Sequence, residues 1–380
     1  MKVIIAIDSF KGSLSTFESA EAAKAGILRV FPDAEVLISP LADGGEGTTE
    51  AIVCAAGGEM RRVKVHDPLG REITAEYGVL PDRRAVIEMS AASGITLLSP
   101  EERNPLKAST YGTGELIRAA ILDGCRKFII GIGGSATNDG GAGMLEALGF
   151  GLLDKNGNQI KRGAIGLSEL VGIDCGSAMP ELSECEFNIA SDVTNPLCGK
   201  LGCSAVYGPQ KGATPEMIAD MDEWLKGYAS LTARTLGKDC STLSGAGAAG
   251  GLGFAFTAFL SGKLRSGIEL VIEATGLEEK VKGADIVITG EGRLDGQSCM
   301  GKAPIGVARL AKKYAKPVIA FAGCVTDDAR LTNDYGIDAF FPIVRKPCSL
   351  EEAMDKKNAY KNLSDTAEQV FRVINTAYKK

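Results

Sequence analysis

An α/β fold with a parallel sheet is predicted by three features of the sequence. Short apolar runs alternate with stretches of helical periodicity, the chain opens on such a run followed at once by a capped helix, and the same alternation returns in the last hundred residues. Between these ends the pattern changes to hairpins. The expected architecture is an open parallel-sheet domain drawn from residues 1–64 and 283–380, interrupted by a mixed α/β domain at 65–282. Two domains also suit a chain of 380 residues, because single hydrophobic cores stop growing at roughly 250–300.

Val3–Ile7 reads as a buried strand, and Ser15 with Glu18 three positions on forms a capping box for a helix reaching about Val30, with Pro32 beyond it. Glu35–Ile38 is a second strand, followed by a glycine-rich turn into a helix near Thr49–Ala56. Arg61–His66, Ile73–Leu80 and Ala85–Met89 are strand-like and divided by the turn signals Asp67-Pro68-Leu69-Gly70 and Pro81-Asp82, which predicts antiparallel pairing. Phe128–Ile132 and Glu186–Ala190 are further strands, with a helix after Asn138 and two more near Pro215–Leu236 and Ala248–Leu260. Asp285–Thr289, Pro317–Ala322 and Ala339–Ile343 restore the strand–helix alternation, and one polar-faced helix is expected over Leu350–Tyr378.

Composition narrows the chemistry. Forty-two Lys and Arg against 48 Asp and Glu give a net charge of -6, and no basic cluster stands out, so neither nucleic acid nor an anionic membrane is expected as a partner. No apolar run approaches the ~18 residues of a membrane span, and a cytoplasmic protein is expected. The 10 cysteines include no C-x-x-C pair; Cys54, Cys125 and Cys324 lie in apolar stretches and are expected as buried, reduced thiols. The one histidine, His66, sits in an alternating strand and is expected at the surface. Acid–base chemistry then falls to carboxylates and lysines.

Forty-eight glycines exceed the ~7 % of ordinary chains and are clustered, at 44–47, 131–134, 140–141, 245–251 and 290–292. Such loops serve tight turns and close packing, or turn backbone N–H groups toward phosphate. Gly131-x-Gly133-x-x-Ala136 imitates a dinucleotide fingerprint, but Thr137-Asn138-Asp139 follows where helix packing is needed. Gly296-x-x-x-x-Gly301-Lys302 imitates a P-loop, yet Ala303 replaces the metal-binding hydroxyl. Acids at strand ends carry more weight: Asp8, Asp43, Asp192, Glu291 and Asp295, with Ser9, Lys11, Ser13, Arg293, Lys200 and Lys211 nearby. In open α/β sheets ligands bind beyond the carboxyl ends of strands, and carboxylates with a few cations and phosphate-cradling loops are the parts of phosphoryl transfer.

Six motifs in order resemble the bacterial glycerate kinase family: Asp8-Ser9-Phe10-Lys11-Gly12-Ser13-Leu14-Ser15, Pro40 to Thr48, Gly133 to Gly141, Ser191-Asp192-Val193-Thr194-Asn195-Pro196-Leu197, Gly208-Pro209-Gln210-Lys211-Gly212-Ala213, and Gly290-Glu291-Gly292-Arg293-Leu294-Asp295 with Gly301-Lys302. Cys203, where a small residue such as Ala is expected, is a minor departure. The resemblance spans roughly residues 1–345. It implies a Rossmann-like or flavodoxin-like domain plus a second mixed α/β domain, and ATP-dependent, Mg²⁺-assisted phosphorylation of D-glycerate, with 2-phosphoglycerate favoured, in an interdomain cleft.

On that basis Asp192 is expected as general base or Mg²⁺ ligand, and Lys11 and Asp8 are expected to serve catalysis. Ser9, Asp43, Glu46, Arg293 and Asp295 are expected to bind glycerate. Gly133, Gly134, Ser135, Thr137, Asn138, Gly245, Gly247 and Gly250 are expected around the nucleotide, and Glu291 with Asp192 at the metal. D-Glycerate and ATP are the expected partners of a monomer or homodimer. Two other classes compete. One is a noncatalytic sensor of phosphorylated metabolites; the other is an NAD-dependent hydroxy-acid dehydrogenase built on Gly131–Ala136, which the lack of a second histidine disfavours.

Overall fold

The computed structural model describes residues 1–41, 45 and 47–378. It divides into two compact units: Met1–Asp43 with Cys54–Ala56 and Ile268–Lys380, and Gly44–Val53 with Gly57–Gly267.

Unit 1 is built on five parallel strands, β1 (Lys2–Ile7), β2 (Glu35–Ile38), β11 (Ile286–Leu294), β12 (Val318–Val325) and β13 (Ala339–Pro342), in the order β13-β12-β11-β1-β2. Val3 through Ile7 are all fully buried, as expected of a central parallel strand covered on both faces. The helix Thr16–Leu28 begins with the capping box foreseen at Ser15, whose hydroxyl accepts from the Glu18 N–H at 3.2 Å while the Glu18 carboxylate accepts from the Ser15 N–H at 2.8 Å. This helix packs on the C-terminal helix Lys356–Tyr378. Gly26 makes that approach possible, since a Cβ there would lie 2.1 Å from the Ser364 carbonyl oxygen. Instead of one helix over 350–378 there are two, Leu350–Met354 and Lys356–Tyr378. Asp355 turns to ψ 126 between them and accepts from the Asn358 N–H at 3.0 Å.

Unit 2 carries a six-stranded sheet of β3 (Glu59–His66), β4 (Glu72–Val79), β5 (Arg84–Glu88), β6 (Lys127–Gly131), β9 (Glu186–Ala190) and β10 (Lys263–Arg265), ordered β10-β9-β6-β5-β4-β3. Its β10-β9-β6-β5 half is parallel; β4 and β3 are the antiparallel hairpin strands. A separate hairpin pairs β7 (Gly151–Leu153) with β8 (Gly172–Asp174). Phe128, Phe187, Phe254, Phe256 and Tyr228 fill its core.

The chain passes into unit 2 before the expected crossing near 65, because β3 pairs with β4 over its whole length, from Glu59↔Val79 to His66↔Glu72. It returns before 283, because residues 268–282 pack with unit 1: Ile268 closes against Gly306, and Glu278 pairs with Lys313 at 2.6 Å. The expected helix over 248–260 is present as Ala248–Phe259, but Ala249, Gly250 and Gly251 have positive φ and kink its first turn. His66 is part-exposed and bonds through Nδ1 to Glu115 at 3.0 Å. All ten cysteines are free. Cys125 is buried as foreseen, whereas Cys54 and Cys324 are exposed: they sit in apolar stretches of sequence but on the outward side of their elements.

Candidate active site

Each unit gathers functional groups at the carboxyl ends of its parallel strands. In unit 1, Ile7, Gly290 and Phe321 stand in register across β1, β11 and β12. Just past Ile7, Asp8 is buried; its N–H donates to the Gly290 carbonyl at 2.9 Å and its carboxylate accepts from the Ser9 N–H at 2.6 Å. A tight turn from Phe10 to Leu14 then presents Lys11 to solvent. Gly292 on β11 faces that turn, where a Cβ would lie 3.5 Å from the Lys11 nitrogen.

β11 itself runs on past the row and supplies Glu291 and Arg293, with Asp295 just beyond its end. Glu291 accepts from Ser298 Oγ at 2.5 Å and lies 3.8 Å from Lys302 Nζ. Arg293 Nε reaches Asp295 Oδ2 at 3.2 Å, with the arginine side chain 65 % exposed. Asp295 also caps the turn Gly296–Met300, accepting from the Gln297 and Ser298 N–H groups at 3.0 and 3.3 Å. The P-loop-like spacing at 296–302 is therefore a capped 3₁₀ turn followed by the helix Ala303–Lys313. Asp8, Ser9, Lys11, Glu291, Arg293 and Asp295 thus share one edge of unit 1. Asp43 and Glu46 lie outside the described residues.

In unit 2 the corresponding row is Glu88, Gly131, Ala190 and Arg265 across β5, β6, β9 and β10. Asp192, two residues beyond this row, is exposed and accepts from the Gly267 N–H at 3.2 Å. The loop after β6 turns through Gly134, exposed with φ +73, into Ser135, which bridges to Gly94. Thr137 and Asn138 are fully buried. Asn138 Nδ2 donates to Ser204 Oγ at 2.8 Å. Asp139, also enclosed, accepts from the N–H groups of Thr110 (2.8 Å), Gly141 (3.1 Å) and Gly143 (3.2 Å), and from Thr110 Oγ1 (2.9 Å). Burial pushes its carboxyl pKa up against those hydrogen bonds.

The cluster at Gly245–Gly251 is packed against this loop. Gly250 accepts from the Gly140 N–H at 2.9 Å, and a Cβ on Gly250 would lie 2.1 Å from the Thr137 carbonyl oxygen. Gly247 donates to the Asn195 carbonyl at 2.9 Å. These glycines permit backbone to touch backbone, so the groups that unit 2 leaves open to a ligand here are at Gly133, Gly134 and the partly reachable Ser135.

Three residues of this edge had no role assigned from sequence. Glu88 accepts from the Thr49 N–H at 2.7 Å and the Gly47 N–H at 3.2 Å, holding the start of the helix Thr48–Ala56, and burial raises its pKa. Arg265 ends β10. Lys211 donates from Nζ to Ser135 Oγ at 2.7 Å and to the Thr137 carbonyl at 2.6 Å. Its signal was the Gly208-Pro209-Gln210-Lys211-Gly212 run, a cation fixed between chain-bending residues.

Acids at strand ends, a lysine-backed loop and exposed backbone N–H groups suit transfer of an anionic group. The chain matches the model of the glycerate kinase family over residues 3–375. The chain belongs to the glycerate kinase family. It is accordingly an enzyme, a phosphotransferase. Among its relatives, the glycerate kinase of Haemophilus influenzae is 48 % identical over 375 residues, covering 98 % of this chain and 99 % of that protein. The glycerate 2-kinase of Escherichia coli K12 is 49 % identical over 364 residues, covering 96 % and 95 %. A crystal structure assigned as glycerate kinase 2 from Salmonella typhimurium LT2 superposes with a TM-score of 0.91 at 50 % identity and covers all of both chains. The mixed α/β fold of this family member is thereby shared along its full length.

Among the described residues no group of three or more His, Cys, Asp or Glu side chains converges as a metal cage. Single strand-end carboxylates such as Asp192 and Glu291 fit Mg²⁺ nonetheless, because Mg²⁺ is ordinarily held by one or two carboxylates together with substrate phosphates.

Proposed function

We propose that the chain transfers the terminal phosphoryl group of ATP to the 2-hydroxyl of D-glycerate. The bond between the γ-phosphorus and the bridging β–γ oxygen breaks, a new P–O bond forms to the glycerate oxygen, and ADP leaves. The observation that carries the reading is Asp192, an exposed carboxylate just past the end of β9 and anchored by the Gly267 N–H. In this reading its carboxylate takes the proton of the acceptor hydroxyl. The choice of the 2-hydroxyl draws support from the E. coli relative, whose name is glycerate 2-kinase.

Unit 2 would meet the nucleotide phosphates through the N–H groups of Gly133 and Gly134 and the hydroxyl of Ser135, with Thr137, Asn138, Gly245, Gly247 and Gly250 supporting that loop from within. Asp8 and Lys11 would serve the reacting groups, and Ser9, Arg293, Asp295, Asp43 and Glu46 would bind the acceptor. Asp192 or Glu291, each with phosphate oxygens, would hold Mg²⁺, whose chemistry is to neutralise charge on the phosphates.

Phosphorus NMR of the product formed from D-glycerate and ATP tests the reading. The resonance of 2-phosphoglycerate is expected. The 3-phosphate would overturn the regiochemistry, and the absence of any phosphoglycerate would overturn the activity.

A further inference from the structure

Lys211 is 2 % exposed, and lysines are almost never enclosed unless paired. Its partners are neutral, the Ser135 hydroxyl and the Thr137 carbonyl. Two neutral acceptors compensate poorly for removing an ammonium from water, so the charged form gains from any anion brought close. Ser135 is the route by which that can happen. Its Oγ accepts a Lys211 proton and therefore has its own O–H to give. At 8 % exposure it reaches the surface beside Gly134, at the carboxyl end of β6.

We propose that Ser135 and Lys211 form a built oxyanion-holding pair: the serine hydroxyl donates to an anionic oxygen of a substrate, and the enclosed lysine, acting through the serine, supplies the charge behind it. Lys211 is then a positioning residue rather than one that touches the reacting atoms. The inference deepens the phosphotransferase reading and rests on it. The oxyanion is a phosphate oxygen of the donor or the carboxylate of the acceptor, which offer the same chemistry to a hydroxyl.

The pair should be sensitive to pH. Burial lowers the Lys211 pKa to about 8. The groups facing it are Cys203, on the helix Cys203–Tyr207, and Asp139, beyond Asn138 in the loop after β6; a negative charge on either opposes that shift. The Cys203 thiol is itself pushed up to about 11 by burial and stays neutral. The adjoining Gly212 lies against the Arg103 backbone. Lysine is cationic below its pKa, so oxyanion affinity should be full well below a pH of about 8 and fall as pH rises through it.

The test is kcat/KM for ATP and for D-glycerate from pH 6 to 10 in the wild type, Ser135→Ala, Lys211→Met, and the double variant. The kcat/KM profile reports groups of the free enzyme. The wild type should lose activity above a pH of about 8. Ser135→Ala should raise one KM by roughly 10–100-fold, the range of a charge-assisted hydrogen bond, and flatten the alkaline limb. Lys211→Met should do the same, and the double variant should be no worse than Lys211→Met, because the two act as one unit. A rise confined to ATP assigns the phosphate; one confined to glycerate assigns the carboxylate. Unchanged KM values and an intact alkaline limb in Ser135→Ala overturn the pair, and that variant decides the matter even if Lys211→Met does not fold. Melting-temperature shifts induced by ATP alone and by D-glycerate alone, which need no turnover, should shrink in Ser135→Ala for one ligand. They separate a failure of the pair from a failure of the proposed reaction.

Discussion

The two units obey one topological rule with different physics. Unit 1 pairs two of its acids with solvent-exposed cations, Arg293 meeting Asp295 at 3.2 Å and Lys302 approaching Glu291 at 3.8 Å. Such exposed pairs are worth about 0–1 kcal/mol and can open to admit a ligand at small cost. Unit 2 leaves Asp192 exposed but encloses Lys211, Asp139 and Asn138. There the Lys211 ammonium, the Asp139 carboxylate and the Asn138 amide nitrogen are held by hydrogen bonds in a medium of low polarity, where each unmet bond is expensive. The lesson is a division of labour: unit 1 offers adaptable charge, whereas unit 2 offers a stiff loop.

The sharpest way to break that contrast is Asp192→Asn. Turnover should fall by roughly 10²–10⁴, the usual contribution of a general base, with melting shifted by less than about 2 °C because the side chain is exposed. Near-normal turnover would remove Asp192 from proton transfer. Lys11→Met, the solvated counterpart on unit 1, should raise a KM by less than that; unchanged kinetics for both substrates would leave Lys11 without a role.

Next in size is Gly250→Ala. The added carbon would lie 2.1 Å from the Thr137 oxygen at a residue with φ +67, a collision with backbone worth on the order of 3 kcal/mol. Differential scanning calorimetry should show a drop of roughly 6–12 °C. At Gly134, also positive in φ, the nearest atom is the Ser90 Cβ at 3.6 Å. Gly134→Val should therefore cost less stability and raise the KM for ATP; a rise for glycerate alone would assign the loop to the acceptor.

The smallest effect concerns Glu88. Its pKa is raised by burial above the ordinary 4.5, so its contribution to stability is full at acid pH and is lost as pH rises through the folded value. Glu88→Gln lacks that loss. Its melting temperature relative to the wild type should climb between pH 4 and 7. A difference that stays flat or falls would show that Glu88 is not strained as an anion.

Local signals made much of this legible in the sequence. Val3–Ile7 and the Ser15–Glu18 box depend on neighbours in the chain and formed as read. The helix Tyr111–Leu122 was not foreseen, because its glycines answer to tertiary packing: a Cβ on Gly112 would lie 1.9 Å from the His66 carbonyl oxygen. The acids Asp8, Asp192 and Glu291 were visible because they follow apolar runs, Asp8 directly, Asp192 after one residue and Glu291 after two. Lys211 was visible as a cation in the run 208–212, but its enclosure was not, since its partner Ser135 lies 76 positions away. The glycine clusters looked alike in sequence, yet Gly250 serves backbone packing while Gly134 stays open.

The order of strands in unit 1 has a consequence for biosynthesis. β1 pairs on one side with β11, and the Lys2 N–H donates to Asp285, 283 positions later. At the ~5–20 residues per second of a ribosome, the first strand waits roughly 15–60 s for that neighbour. All the strands of the six-stranded sheet emerge in the meantime, so the intervening unit can complete its sheet first while five apolar residues at the nascent amino terminus remain a target for chaperones.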